Sequence, residues 1–100
     1  MITAVNICGI PYNISYVEDL FDEGTHLGQI TYSKGEILIN KNMPQPIINE
    51  SICHEIIHGI LFHIGQDELA NNEQFVQALG NAVNQSFNIK NIGCECHANK

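Results

Sequence analysis

The chain has 100 residues, with 11 acidic against 4 basic side chains for a net charge of −7, and 44% apolar and 15% charged residues. That length allows one small domain, and the composition is that of a globular protein. Lys34, Lys41, Lys90 and Lys100 are scattered and Arg is absent, so the clustered cations of a direct nucleic-acid binder are missing, and the acidic balance favours basic partners instead.

No run of 18 apolar residues occurs, so no membrane-spanning helix is expected. The opening MITAVNICGIPYN lacks a basic n-region and a cleavage site. That leads us to expect no signal peptide and a cytoplasmic protein, where thiols stay reduced. Cys8, Cys53, Cys94 and Cys96 are then free thiols or metal ligands, and their spacing fits no zinc finger.

In chain order, ITAVNI (2–7) reads as a strand. Gly9 and Pro11 interrupt, and YNISYVEDL continues as a strand that turns helical at its end. FDEGTHLG is a turn-rich connector. QITYS, KG and EILIN (36–40) predict a hairpin with Lys34 and Gly35 in the turn. Ile37 and Ile39 alternate there with Glu36, Leu38 and Asn40, giving one apolar face. After the proline loop KNMPQP, a helix is predicted from about Pro44–Pro46 to Ile64, with Gly65 as its left-handed stop. A second helix fits Asp67 or Glu68 through about Phe87. The tail NIKNIGCECHANK has no periodicity. We therefore expect a single α+β domain over residues 1–90, a small antiparallel sheet of the N-terminal strands plus the hairpin packed on two helices, and a loose tail over 91–100.

The stretch HEIIHGILFH (54–63) carries the chemistry. At 100° per residue, His54 and His58 lie about 40° apart on one helix face, one turn removed. Both border the apolar arc of Cys53, Ile56, Ile57, Ile60, Leu61 and Ile64. Two imidazoles so spaced can reach one Zn²⁺, and Glu55 beside them can take a proton from an attacking water. Neutral imidazoles leave the cation uncompensated, so an anionic third ligand suits the site. Glu73 is favoured if the two helices form an antiparallel hairpin, because it lies a full turn into the second helix; Glu68 is the competitor.

The remaining candidates have plainer readings. Cys53 reads as core, His63 as a surface residue and His26 as a loop residue. Phe75, Leu79, Val83 and Phe87 have core spacing. Cys94, Glu95, Cys96 and His97 form either a second metal site or an incidental tail.

HEIIH followed by GILFHIG and NNEQFVQALGNAV resembles small phage-borne and prophage-borne members of the ImmA/IrrE-like zinc metallopeptidases, which are minimal gluzincins. The resemblance covers about residues 28–88. It implies a zincin-like fold, one Zn²⁺ held by His54, His58 and Glu73, and Glu55 as the catalytic acid/base. It also implies that the strand before the ligand helix, here Glu36, Ile37, Leu38, Ile39 and Asn40, is an edge strand over the metal cleft that pairs with an extended peptide substrate. The expected activity is zinc-dependent hydrolysis of peptide bonds in a protein substrate. His97, Tyr32 and His26 are the candidate donors to the oxyanion. The alternative is a non-catalytic domain that zinc stabilises for protein interaction.

Overall fold

The computed structural model describes residues 1–18 and 27–87. Four strands are present in it: β1 (Ala4–Ile7), β2 (Ile10–Val17), β3 (Gly28–Thr31) and β4 (Glu36–Asn40). The helices are α1 (Gln45–His63), the single-turn α2 (Asp67–Ala70) and α3 (Glu73–Ser86). The α+β class follows directly. No helix among the described residues is long and apolar enough to cross a membrane.

The sheet order is β1-β2-β4-β3. β1 and β2 form a tight hairpin through Cys8 and Gly9, both at positive φ, 53° and 81°. β3 and β4 form the expected second hairpin, with Ile30 opposite Ile37. A turn of 3-10 helix at Tyr32–Lys34 and a left-handed Gly35 connect them. β2 and β4 run parallel, with Ile14 beside Ile37 and Tyr16 beside Ile39. The sheet is thus mixed rather than antiparallel. The hairpin docks on β2 through its second strand, which buries the isoleucine face of β4 between two neighbours.

That docking overturns the edge-strand expectation for Glu36, Ile37, Leu38, Ile39 and Asn40. β4 is an inner strand, bonded to β2 on one side and β3 on the other, so its main chain is not free to take up a peptide. Ile37 and Ile39 are fully buried. Among the described residues, β3 pairs only with β4 and is the edge on this side.

Helix α1 lies between the sheet and α3, so it buries residues on two sides. Ile48 and Ile52 join Ile7, Tyr12, Ile14, Ile37 and Ile39 against the sheet. Ile57 and Leu61 meet Ala70 and Val76 on the other side. The helix ends as its sequence predicts. Gly65 takes φ 81°, Gly65 N–H donates to Phe62 O and Gln66 N–H to Leu61 O, the paired bonds of a glycine-terminated helix.

The second predicted helix is two helices. Asn72 caps α3, its side chain accepting from Phe75 N–H at 3.0 Å. A side-chain cap at this point halts the incoming turn and starts a new axis. Glu73 is therefore the first residue of α3, not one a full turn inside. α3 then faces α1 with Val76, Leu79, Gly80 and Val83. Phe75 and Phe87 lie outside that face, 37% and 69% exposed, and are not core. Gly80 is a close-approach position: a Cβ there would stand 3.2 Å from His54 Cα. His63 also departs from expectation. It is half-buried, its Nε2 paired with the hydroxyl of the fully buried Tyr12 at 2.5 Å.

Candidate metal centre

Helix α1 presents His54 and His58 on adjacent turns, with ring centroids 4.9 Å apart. The start of α3 brings Glu73 across from them. His54 Nε2 lies 3.1 Å from Glu73 Oε1, and His58 Nε2 lies 3.2 Å from Glu73 Oε2. One ligand atom from each of the three residues falls within 4.8 Å of the others. Glu68 is exposed on α2 and is not part of this group.

The hydrogen bonding of His58 tests the fit of a cation. His58 Nδ1 is 2.7 Å from the carbonyl oxygen of Ala70, which only accepts, so Nδ1 carries the proton. With Nδ1 as the donor, Nε2 is the ring atom turned to a Glu73 oxygen 3.2 Å away, and either a ring proton or a shared cation between them satisfies both atoms. Ligands of a tetrahedral zinc, each at about 2.0–2.1 Å, stand roughly 3.3 Å apart, close to the N···O separations here. The Ala70 carbonyl is the kind of outer partner that fixes a metal histidine's tautomer. His54 is less anchored: its Nδ1, like the nearby Ser51 Oγ, is buried without a hydrogen-bond partner. A zinc held by these three residues would keep a fourth position open, the pattern of catalytic rather than structural sites.

Glu55 lies beside the group and is only 6% exposed. Burial, and secondarily the charge of Glu73, push its carboxyl up to about 7. That value belongs to the metal-free chain; a cation held by His54, His58 and Glu73 would lower it. The backbone of β3 walls it in, since a Cβ on Gly28 would stand 3.2 Å from Glu55 Cγ and Oε2 and 3.1 Å from Ile39 Cδ1. Gly28→Ala is therefore expected to displace the Glu55 carboxylate by a few tenths of an ångström while leaving His54, His58 and Glu73 untouched. The result to look for is unchanged metal content with activity lowered at least about tenfold, since small misplacements of a reacting group are costly; equal activity would show that Glu55 does not depend on this wall.

A cleft of about 580 Å³ opens over the site, walled by β3 on one side and by α1 and the start of α3 on the other. It contains His54, Glu55, His58 and Glu73 together with Tyr32. Burial, then the negative charge of Glu55, Tyr12, Glu73 and Asp67, holds the Tyr32 phenol above its usual value, so it keeps its proton at neutral pH. Glu36, Ile37, Leu38, Ile39 and Asn40 do not line the cleft. His26, Cys94, Glu95, Cys96 and His97 lie outside the described residues. Sequence reasoning did not foresee the Ala70 carbonyl, which no side chain marks, or Gly28. An isolated glycine at a strand position is, however, a readable sign of close approach.

Compared with known protein families, curated proteins and solved structures, the chain matches none of them.

Proposed function

We propose that this chain is a zinc-dependent peptidase that hydrolyses peptide bonds in a protein substrate. We further propose that it is of the small ImmA/IrrE-like, phage- or prophage-encoded kind and acts in the cytoplasm of a bacterial host. The observation that carries the reading is the convergence of His54, His58 and Glu73 beside a buried carboxylate in one open cleft. Zinc, when bound, supplies a Lewis acid that polarises the substrate carbonyl and acidifies water.

The chain's own residues have distinct tasks. His54 and His58 give neutral nitrogen ligands, and Glu73 contributes the negative charge. Glu55 accepts the proton of the attacking water and delivers it to the leaving nitrogen. The Tyr32 phenol, protonated at neutral pH and lining the same cleft, donates to the developing oxyanion. An extended peptide lies along the outer edge of β3, not of β4, because β3, the edge strand among the described residues, lines the cleft through Gly28, Gln29 and Ile30 and β4 does not.

A non-catalytic reading has one observation in its favour: the ligand group joins α1 to α3, as a metal staple for a small interaction domain would. Metal content decides whether either reading stands. Plasma mass spectrometry of the untagged chain is expected to find one zinc per chain, and none in His54→Ala. A chain that takes up no zinc when it is supplied would end both.

A further inference from the structure

A second cavity of about 510 Å³ adjoins the metal cleft and is lined by Ile30, Thr31, Tyr32, Ser33 and Phe62. Ile30 and Tyr32 line both spaces, so the two adjoin at these residues. Alternate residues of a strand point to opposite faces. Ile30 and Thr31 close β3, and Tyr32 and Ser33 open the 3-10 turn that follows, so a cavity lined by all four lies at the end of the edge strand, where the chain leaves the sheet. The floor is aromatic. The Tyr32 and Phe62 rings stack with centroids 3.9 Å apart and planes within 3°, and Phe62 is 41% exposed.

Strand and helix pass each other in register. Gly28 abuts Glu55, and Ile30 reaches within 3.1 Å of a Cβ placed on Gly59. Tyr32 covers Phe62. From His58 to Phe62 is one helical turn, about 6 Å, which an extended chain covers in about two residues.

Resting on the peptidase reading, we propose that this cavity is a specificity subsite that receives an aromatic or branched aliphatic side chain of an extended peptide, about two residues from the bond that is cut. A peptide paired along the edge of β3 points alternate side chains toward this floor, and a stacked aromatic wall without a charged side chain accepts an apolar group and rejects a carboxylate.

The test separates binding from turnover. The Glu55→Gln chain, loaded with zinc and labelled with ¹⁵N, is titrated with acetylated, amidated Gly-Phe-Gly and with Gly-Asp-Gly. The phenylalanine peptide is expected to shift the amides of Ile30, Thr31, Ser33 and Phe62, and to bind at least about tenfold more tightly than the aspartate peptide. Phe62→Ser, at an exposed position, should remove that difference and Phe62→Leu should retain it, with helix content checked by circular dichroism. Equal binding of the two peptides, shifts elsewhere, or an undiminished preference in Phe62→Ser would overturn the subsite. Cleavage of unfolded protein by the wild-type chain is scored separately. If nothing is cut while the phenylalanine preference stands, the peptidase reading fails and the groove survives as a binding site.

Discussion

Glu55→Gln is expected to retain one zinc per chain and to lose peptide hydrolysis by a factor of roughly 10²–10⁴, the usual share of a positioned general base. The glutamine amide has nearly the shape of the carboxylate, so it fits the same space against Gly28 and Ile39. It cannot accept the proton of water. The ligands His54, His58 and Glu73 are untouched, and the metal-free fold loses only a buried ionisable group, 6% exposed, that burial disfavours in its charged form. A folding defect is therefore not expected to imitate the loss of activity. Zinc content and activity on an unfolded protein, measured side by side, check this. Metal retained with activity lost supports a base at position 55. Metal retained with no activity in either chain favours the zinc-stapled interaction domain. Equal activity in both would remove Glu55 from the reaction.

The parts of this site legible from sequence are those that one helix determines alone. His54, Glu55 and His58 follow from helical periodicity, and the end of α1 follows from Gly65, because both are local properties of the chain. The alternation of Ile37 and Ile39 likewise marks which face of β4 is buried. What escaped depends on which distant segments meet. Parallel pairing of β2 with β4 joins residues more than 20 positions apart, and no local pattern distinguishes it from an antiparallel meander. Once that pairing forms, β4 becomes an inner strand and the open edge moves to β3. The Tyr12–His63 bond spans 51 positions, so His63 read from its helix angle alone looked solvent-facing. The break between α2 and α3 was within reach: Asn72 before Glu73 is a favoured cap followed by an acid in the first turn. A continuous helical pattern through Leu69 and Val76 masked it.

The same local cap has a thermodynamic consequence. Glu73 stands at the first position of α3, while its two partners sit mid-way along α1, so a bound metal would add a further tie between helices that already pack through Ile57, Leu61, Val76, Leu79 and Val83. Chelating the metal is expected to lower the melting temperature by roughly 15–30 °C. Ligand present at about a thousand times its dissociation constant stabilises by about 4 kcal/mol, and a domain of this size shifts about 4–8 °C per kcal/mol. His58→Ala should stop responding to zinc and melt below the chelated value, because it also loses the buried bond to the Ala70 carbonyl.

The metal-free chain then reports on Glu55. Its carboxyl titrates near the usual 4.5 when unfolded and about 7 when folded. Between these values the folded state holds a proton that the unfolded state has released, so stability falls as pH rises through this window and is recovered on acidification. The Glu55 contribution is on the order of 3 kcal/mol across the window at 1.36 kcal/mol per pH unit. Subtracting the melting profile of metal-free Glu55→Gln removes the contribution of the histidines, which both chains share. A difference that grows with pH from 4.5 to 7, with the glutamine chain the more stable at neutral pH, is the expected result. A flat difference would mean that Glu55 is solvated in the folded chain and is not the buried base on which the proposed reaction depends.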